Sequence, residues 1–280
     1  QGRGRAQGVV MQIQLECTNV CNADCCFCPY SKMRRPKGTM SMNLFCRIID
    51  EATSIPLIDH ITITGLGEPL LDRFLIDRIR YVRKKMPGVL LDLYTNGTFL
   101  RPEMVDDLHR AGLSVLYVSL NAVTRDRRLQ VMKLDDFDQV TRSTEYALTK
   151  PGWRVIVKGI VSKDLMEAGD NEAFTARWGG PFTGSGNAFL HLEGNWAGAT
   201  WPMRLKPTEP CARALNQIMV LWDGRVSLCC FDSEGDCTLG DLNHQTIREV
   251  FNGQPALGIR EAHIQGRRQE LKLCNGCTGI

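Results

Sequence analysis

Two periods alternate along this chain. Residues 9–16, 58–64, 89–94, 114–120, 153–161 and 188–194 carry apolar residues at every second position, as a strand with one buried face does. Between them, residues 41–53, 72–86 and 101–112 show the three-to-four spacing of amphipathic helices. Ser41 and Asp72 stand where N-caps are expected, Pro102 suits a first helical position, and Gly112 suits a stop. Strand and helix in regular alternation imply parallel strands with helices outside. Six such units fall short of the eight of a complete TIM barrel. The predicted fold is α/β, a partial (β/α)6 TIM-like barrel.

The alternation also assigns an inside. One strand face shows Met11, Ile13, Leu15, Ile61, Ile63, Leu91, Leu93, Leu116, Val118, Val155 and Val157. The other shows Gln12, Gln14, Glu16, His60, Thr62, Asp92, Tyr94, Tyr117, Ser119 and Lys158. Helices must cover the apolar set, so the polar set is predicted to face the lumen. A closed barrel fills that space with branched apolar side chains. A polar interior implies an open barrel that holds water and a polar ligand.

Beyond residue 193 the pattern breaks. Gly, Pro and Trp interrupt any period, and residues 196–207 read as a linker between a barrel at 9–195 and a tail at 208–280. In the tail, residues 217–231 read as a hairpin turning at Asp223-Gly224. Residues 246–251 read as a short helix with Gly253 as its stop. The tail is too poor in strands for a large core of its own, so something besides apolar burial is expected to hold it.

Composition narrows the class. At 280 residues, with 43% hydrophobic and 23% charged residues, the chain suits one soluble domain or one domain with a small appendage. A formal charge of +3, with bases scattered among acids, gives no pull toward nucleic acid. No apolar run approaches a membrane span. No signal peptide is visible, and residues 1–8 read as a flexible start or an expression remnant. The expectation is a cytoplasmic protein with reduced thiols, in which clustered cysteines mean metal or catalysis.

There are twelve cysteines, four of them within "CNADCCFC", residues 21–28. Cys21, Cys25 and Cys28 form C-x3-C-x2-C between the first strand and the first helix. Structural zinc takes four protein ligands, whereas three thiolates on a [4Fe–4S] cluster leave one iron open. In the tail, Cys211, Cys229, Cys274 and Cys277 supply four thiolates, enough for zinc or for a closed [4Fe–4S] shell. Of the others, Cys26 and Cys46 read as small buried hydrophobes, and Cys230 competes with Cys229 as a ligand.

With Phe27 just before its last cysteine, the front motif resembles the signature of the radical S-adenosylmethionine (radical SAM) enzymes. The resemblance implies a [4Fe–4S] cluster on Cys21, Cys25 and Cys28, with S-adenosylmethionine on the open iron. It implies that Gly65, Gly67 and Glu68 meet the methionine amino group, although the family's two adjacent glycines are here separated by Leu66. It places Asn96, Ser119 and Asn121 along the cofactor's ribose and carboxylate, with Lys158 near that carboxylate. The tail spacings resemble the SPASM extension in its shorter "twitch" form, which implies a second, auxiliary [4Fe–4S] cluster on Cys211, Cys229, Cys274 and Cys277.

The activity so implied is reductive cleavage of S-adenosylmethionine to a 5′-deoxyadenosyl radical, with an external donor of flavodoxin or ferredoxin type. That radical takes a hydrogen atom from a small polar substrate, sugar-like or aminocyclitol-like, and the outcome is oxidation or epimerisation. For epimerisation Cys237 is the candidate hydrogen donor. Arg154, His191, Glu193 and Asn195 are candidate substrate contacts. The alternatives are a SPASM-type peptide maturase and a non-catalytic protein with two zinc sites.

Overall fold

The computed structural model describes residues 11–161, 169–179, 188–192, 197 and 209–277. Glu193, Asn195, residues 1–8 and most of the linker lie outside the described residues. The strands are β1 (Met11–Leu15), β2 (Ile58–Ile63), β3 (Leu90–Thr95), β4 (Val115–Ser119), β5 (Arg154–Val161), β6 (Ala188–Leu192), β7 (Gln217–Val220), β8 (Arg225–Ser227) and β9 (Thr238–Asp241). They form one open sheet of order β6-β5-β4-β3-β2-β1-β7-β8-β9. β1 to β6 pair in parallel as the alternation predicted.

The helices are α1 (Met42–Ala52), α2 (Leu75–Lys85), α3 (Pro102–Ala111), α4 (Arg125–Met132), α5 (Phe137–Leu148), α6 (Asp170–Trp178), α7 (Ala212–Asn216), α8 (Ile247–Phe251), α9 (Gln254–Ile264) and α10 (Lys272–Asn275). Their apolar stripes meet the apolar strand face. Leu44, Phe45, Ile48 and Ile49 of α1, Ile79 and Val82 of α2, and Val105 and Leu108 of α3 join Ile13, Leu15, Ile61, Leu93 and Val118 in one core. Truncating Phe45 there to Ala would cost about 3–5 kcal/mol.

The predicted punctuation held at three points. The Ser41 hydroxyl accepts from the Leu44 N–H, Pro102 opens α3, and Gly112 ends it in the left-handed region at φ 90°. Asp72 does not cap α2. Pro69–Leu71 make a short 3-10 turn first, α2 begins at Leu75, and Asp72 is spent elsewhere. Its Oδ1 accepts from the Phe74 N–H at 3.0 Å, and its Oδ2 pairs with the buried Arg78 at 2.6 Å. Gly253 is likewise no left-handed stop: at φ −70° it caps the start of α9, which Pro255 then enters.

The tail differs most from expectation. β7 is buried along its whole length and pairs in parallel with β1, Gln12 opposite Gln217 and Leu15 opposite Val220. β8 and β9 continue the sheet antiparallel, and the hairpin turns at Gly224, φ 97°. Ile218, Val220, Val226, Leu239, Ile247 and Val250 belong to the barrel's own core. Packing against β1 therefore holds the first half of the tail, and little apolar surface remains to hold the region of Cys274 and Cys277.

Candidate active site at the strand ends

The cysteine loop follows β1 and is braced from three sides. The Tyr30 hydroxyl receives the Cys21 N–H at 3.0 Å and donates to the Cys21 carbonyl at 3.1 Å. The Cys26 N–H reaches the Val131 carbonyl at 2.9 Å. Phe27, Cys21 and Cys25 pack on a satellite cluster of Ala23, Val131, Met132 and Leu134. α4 is thus the loop's support, and Phe27 belongs to that support. Cys26 itself is exposed and Cys46 half-buried, so neither is the buried hydrophobe expected; the Cys26 backbone is anchored on Val131.

Burial drives the three thiols up, Cys21 above its ordinary value, Cys25 well above it, and Cys28 to about 12. Cys25 also feels the charges of Cys28 and Cys21, which places the three together. Three thiols in one loop are a donor set for a metal that binds thiolates, whose binding displaces their protons. The site fits an iron–sulfur cluster on three ligands.

The loop after β2 approaches that after β1 more closely than any side chain would allow. A Cβ on Gly67 would lie 2.1 Å from the Thr18 carbonyl oxygen, and Gly65 adopts φ 144° beside Glu16. Glu68 is buried, and both its carboxylate oxygens accept hydrogen bonds. It accepts from the Leu70 N–H (3.0 Å), the Thr95 hydroxyl (2.6 Å) and the Asn96 N–H (2.6 Å). Burial raises its pKa, and those three bonds oppose the rise. Glu68 thus joins the ends of β2 and β3.

Asn96 hangs over the cysteine loop. Its Nδ2 donates to Asn22 Oδ1 at 2.9 Å and lies 4.0 Å from Cys21 Sγ. Asn121 sits at φ 53°, its N–H on the Lys158 carbonyl at 3.0 Å and its buried Oδ1 without a partner among the described residues. Ser119 pairs in register with Lys158. The Lys158 ammonium lies 4.8 Å from the Tyr94 ring centre, and burial lowers its pKa to about 8. Tyr94 stacks on Tyr117 with centroids 4.3 Å apart. These residues ring the C-terminal strand ends, and the orphan Asn121 oxygen fits a ligand that donates a hydrogen bond.

Two buried cations and a half-buried one went unnoticed in the sequence. Arg128 pairs with Asp136 at 2.5 Å and donates to the carbonyls of Asn96 (2.7 Å) and Leu120 (2.9 Å). Arg35 holds Glu16 with two bonds, of 2.6 and 2.5 Å, and reaches the Ser233 carbonyl at 2.6 Å. It thereby ties the cysteine loop to the tail. Arg213, two residues past Cys211, stacks on Phe231 at 4.7 Å. No spacing rule marks such residues, because each acts through partners distant in sequence.

In the tail, Cys211, Cys229, Cys274 and Cys277 line one mainly apolar cavity together with Arg213 and Arg268. Among the described residues no three His, Cys, Asp or Glu side chains close on a single metal ion. Thiolates that share a cavity at wider spacing suit the separate corners of a [4Fe–4S] cube. Two guanidinium groups at its wall complement an anionic cluster. The Cys237 N–H is fixed by Asp232 Oδ2 at 2.8 Å. Burial pushes its thiol to about 11, and Cys274 feels its charge. The tail thiol felt by Lys158 and Tyr94 is instead Cys230. Arg154 opens β5, at the far end from Lys158. His191 lies in β6, whose backbone alone is described.

Comparison with known proteins agrees with this geometry. The Radical SAM superfamily model matches residues 15–161, and the SPASM model, an iron-sulfur cluster-binding domain, matches residues 211–278. The chain is 20% identical over 269 residues to the S-adenosyl-L-methionine-dependent 2-deoxy-scyllo-inosamine dehydrogenase of Niallia circulans, covering 96% of this chain and 92% of that one. Two shorter matches, 33% and 31% identical, take in 40% and 48% of this chain, which spans only 31% and 42% of those proteins. Among solved structures, BtrN in complex with AdoMet and 2-DOIA superposes with a TM-score of 0.70 at 19% identity, over 98% of this chain and 94% of that one. Streptococcus suis SuiB bound to precursor peptide SuiA gives 0.70 at 11%, over 96% and 70%. At such identities the superpositions establish the fold.

Proposed function

We propose, for a chain that belongs to the Radical SAM superfamily and carries an iron–sulfur cluster-binding SPASM domain behind its barrel, that it oxidises a small, hydroxyl-bearing substrate held in the polar lumen. The barrel binds a [4Fe–4S] cluster and S-adenosylmethionine, which supply the radical that removes a hydrogen atom. The protein aims that chemistry and excludes side reactions. Cys21, Cys25 and Cys28 hold the front cluster on the support of α4 and Tyr30. The backbone at Gly65–Gly67 and the side chains of Asn96, Ser119, Asn121 and Lys158 hold the cofactor. Glu68 positions Asn96, and its Oε2, which accepts one bond from the protein, keeps acceptor capacity for the cofactor's amino group.

One observation carries the choice of oxidation. The four tail cysteines share a cavity with Arg213, and Arg213 also borders the lumen. A cluster with four thiolates has no open iron for a substrate; next to the lumen it suits an electron acceptor. The full-length likeness to a dehydrogenase acting on 2-deoxy-scyllo-inosamine supports the same reading. Oxidation of a secondary alcohol would then balance: the substrate would give up one hydrogen atom, one electron and one proton, with the cofactor and the tail cluster supplying the acceptors of the first two.

The test is turnover in deuterated water with aminocyclitols and with peptides, read by mass spectrometry. Oxidation yields a product lighter by two hydrogens, in step with 5′-deoxyadenosine. A product of unchanged constitution carrying one solvent deuterium would replace this reading with epimerisation, and a modified peptide would replace it with maturation.

A further inference from the structure

Arg268 carries a charge that no anion of the protein meets. It begins the short 3-10 turn Arg268–Glu270 and is only 3% exposed. It donates to the Glu209 carbonyl at 3.3 Å and pairs with no carboxylate among the described residues. Glu270, in the same turn, holds Arg267 at 2.7 Å instead, and Glu209 itself is exposed. Arginine stays protonated in proteins and is almost never buried unless it is paired. An uncompensated buried charge is strongly destabilising, so this side chain calls for a counter-ion.

The cavity that Arg268 lines is the one shared by Cys211, Cys229, Cys274 and Cys277, and no Asp or Glu lines it. The imidazole behind Cys211 supplies no negative charge either. His263 is fully buried, and its Nδ1 accepts the Cys211 N–H at 3.2 Å, which leaves the proton on Nε2. Burial lowers the His263 pKa, and the Arg268 charge lowers it further. Burial and Cys277 push the Cys274 thiol up to about 12, while the Arg268 charge pulls the other way. Arg268 thus lies beside both Cys274 and the support of Cys211. Arg213, on the same wall, differs: it is half-buried, stacks on Phe231 at 4.7 Å and also borders the lumen.

We infer that Arg268 is the built-in counter-charge of the tail cluster and raises that cluster's reduction potential. Four thiolates and an oxidised [4Fe–4S] core sum to a dianion, and one added electron makes a trianion. Net charge is among the quantities that set such potentials. A fixed cation in a mainly apolar cavity favours the more negative state, because little solvent screens it. Arg268 is a positioning residue for the cluster and needs no contact with substrate. The inference rests on the tail cluster of the reading above, and it gives a reason why that cluster would accept the substrate's electron.

Redox titration of the anaerobic holoprotein, with each cluster followed by electron paramagnetic resonance, tests it without turnover. Arg268→Lys keeps the charge; Arg268→Gln and Arg268→Met remove it, and the Gln variant can still donate to the Glu209 carbonyl. In the two neutral variants the tail cluster's reduced-to-oxidised ratio at a fixed potential should fall at least tenfold, a shift of about 59 mV for one electron. The Lys variant should recover at least half of that shift, and the front cluster should titrate as in wild type throughout. Tail iron lost in the neutral variants but kept in the Lys variant would support the same assignment, since the cluster then needs the charge to bind. An arginine that merely holds the Glu209 carbonyl would move the melting temperature and leave the potential alone. Unchanged potentials, equal shifts in the Lys and Gln variants, or tail iron lost in all three would each overturn the assignment. Potentials that shift as expected, with no oxidised product from wild type, would refute the oxidation reading and leave the role of Arg268 standing.

Discussion

Glu68→Gln is the most informative single change, because it alters one atom at the junction of two strand ends. The wild-type carboxylate accepts from Leu70 and Asn96 backbone N–H groups and from the Thr95 hydroxyl. The amide keeps one oxygen, which retains Leu70 and Thr95. Its NH2 group then faces the Asn96 N–H, donor against donor. A hydrogen bond to a charged acceptor contributes about 1.5–3 kcal/mol, and a buried unpaired N–H costs about 1–3. Relief by small shifts reduces the sum to about 2–4 kcal/mol, from a total stability of about 5–15 kcal/mol. For a chain of this size the melting temperature should fall by about 5–10 °C. Asn96 should move with its backbone, so S-adenosylmethionine affinity should drop at least tenfold. Thermal denaturation of the anaerobic holoprotein and equilibrium binding of the cofactor check the two effects separately. A variant that melts and binds as wild type does would refute the bracing role.

Gly67→Ala should be harsher still, since the new methyl meets the Thr18 carbonyl at 2.1 Å; a cost above about 3 kcal/mol is expected, read as lost soluble yield or lost front-cluster iron, and normal iron content would contradict it. Lys158 has its pKa lowered by burial to about 8, so between pH 8 and 10.5 the unfolded chain keeps a proton that the folded one has lost. Charging Lys158 below pH 8 therefore opposes folding, and its contribution to stability rises with pH through that window. Cofactor affinity should fall as pH passes 8 in wild type and stay flat in Lys158→Met; parallel profiles would remove Lys158 from the carboxylate. The double variant Cys274→Ala/Cys277→Ala should lose about half its iron while the front cluster remains. Its β7–β9 region should stay protected from hydrogen exchange, since that region shares the barrel core; unchanged iron would rule out a tail cluster.

Six strands and the lumen-facing side chains were legible because alternation is a local signal and the helices left only one face to cover. The front motif was legible because three cysteines fall in one loop. The docking of β7 on β1 was not: its four residues are all buried and show no alternation. Gly253 misled because glycine stops and glycine starts look alike until φ is known. Asp72 misled because Pro69 imposes a 3-10 turn before α2 can begin. Glu68 was singled out as a cofactor contact, and its bracing role carried no sequence signal, because Thr95 and Asn96 belong to the end of another strand. Arg35, Arg128 and Arg213 carried no sequence signal at all, because each acts on partners remote in the chain.

The claim that joins both ends of the molecule is that the tail cluster takes the electron the substrate gives up. Single-turnover electron paramagnetic resonance tests it, with the front cluster reduced beforehand by one equivalent and substrate and S-adenosylmethionine then added together. The account predicts one reduced tail cluster for each oxidised product formed, and no such signal in Cys274→Ala/Cys277→Ala. Full product yield with the tail cluster oxidised throughout, or a protein that carries zinc and no acid-labile sulfide, would contradict it.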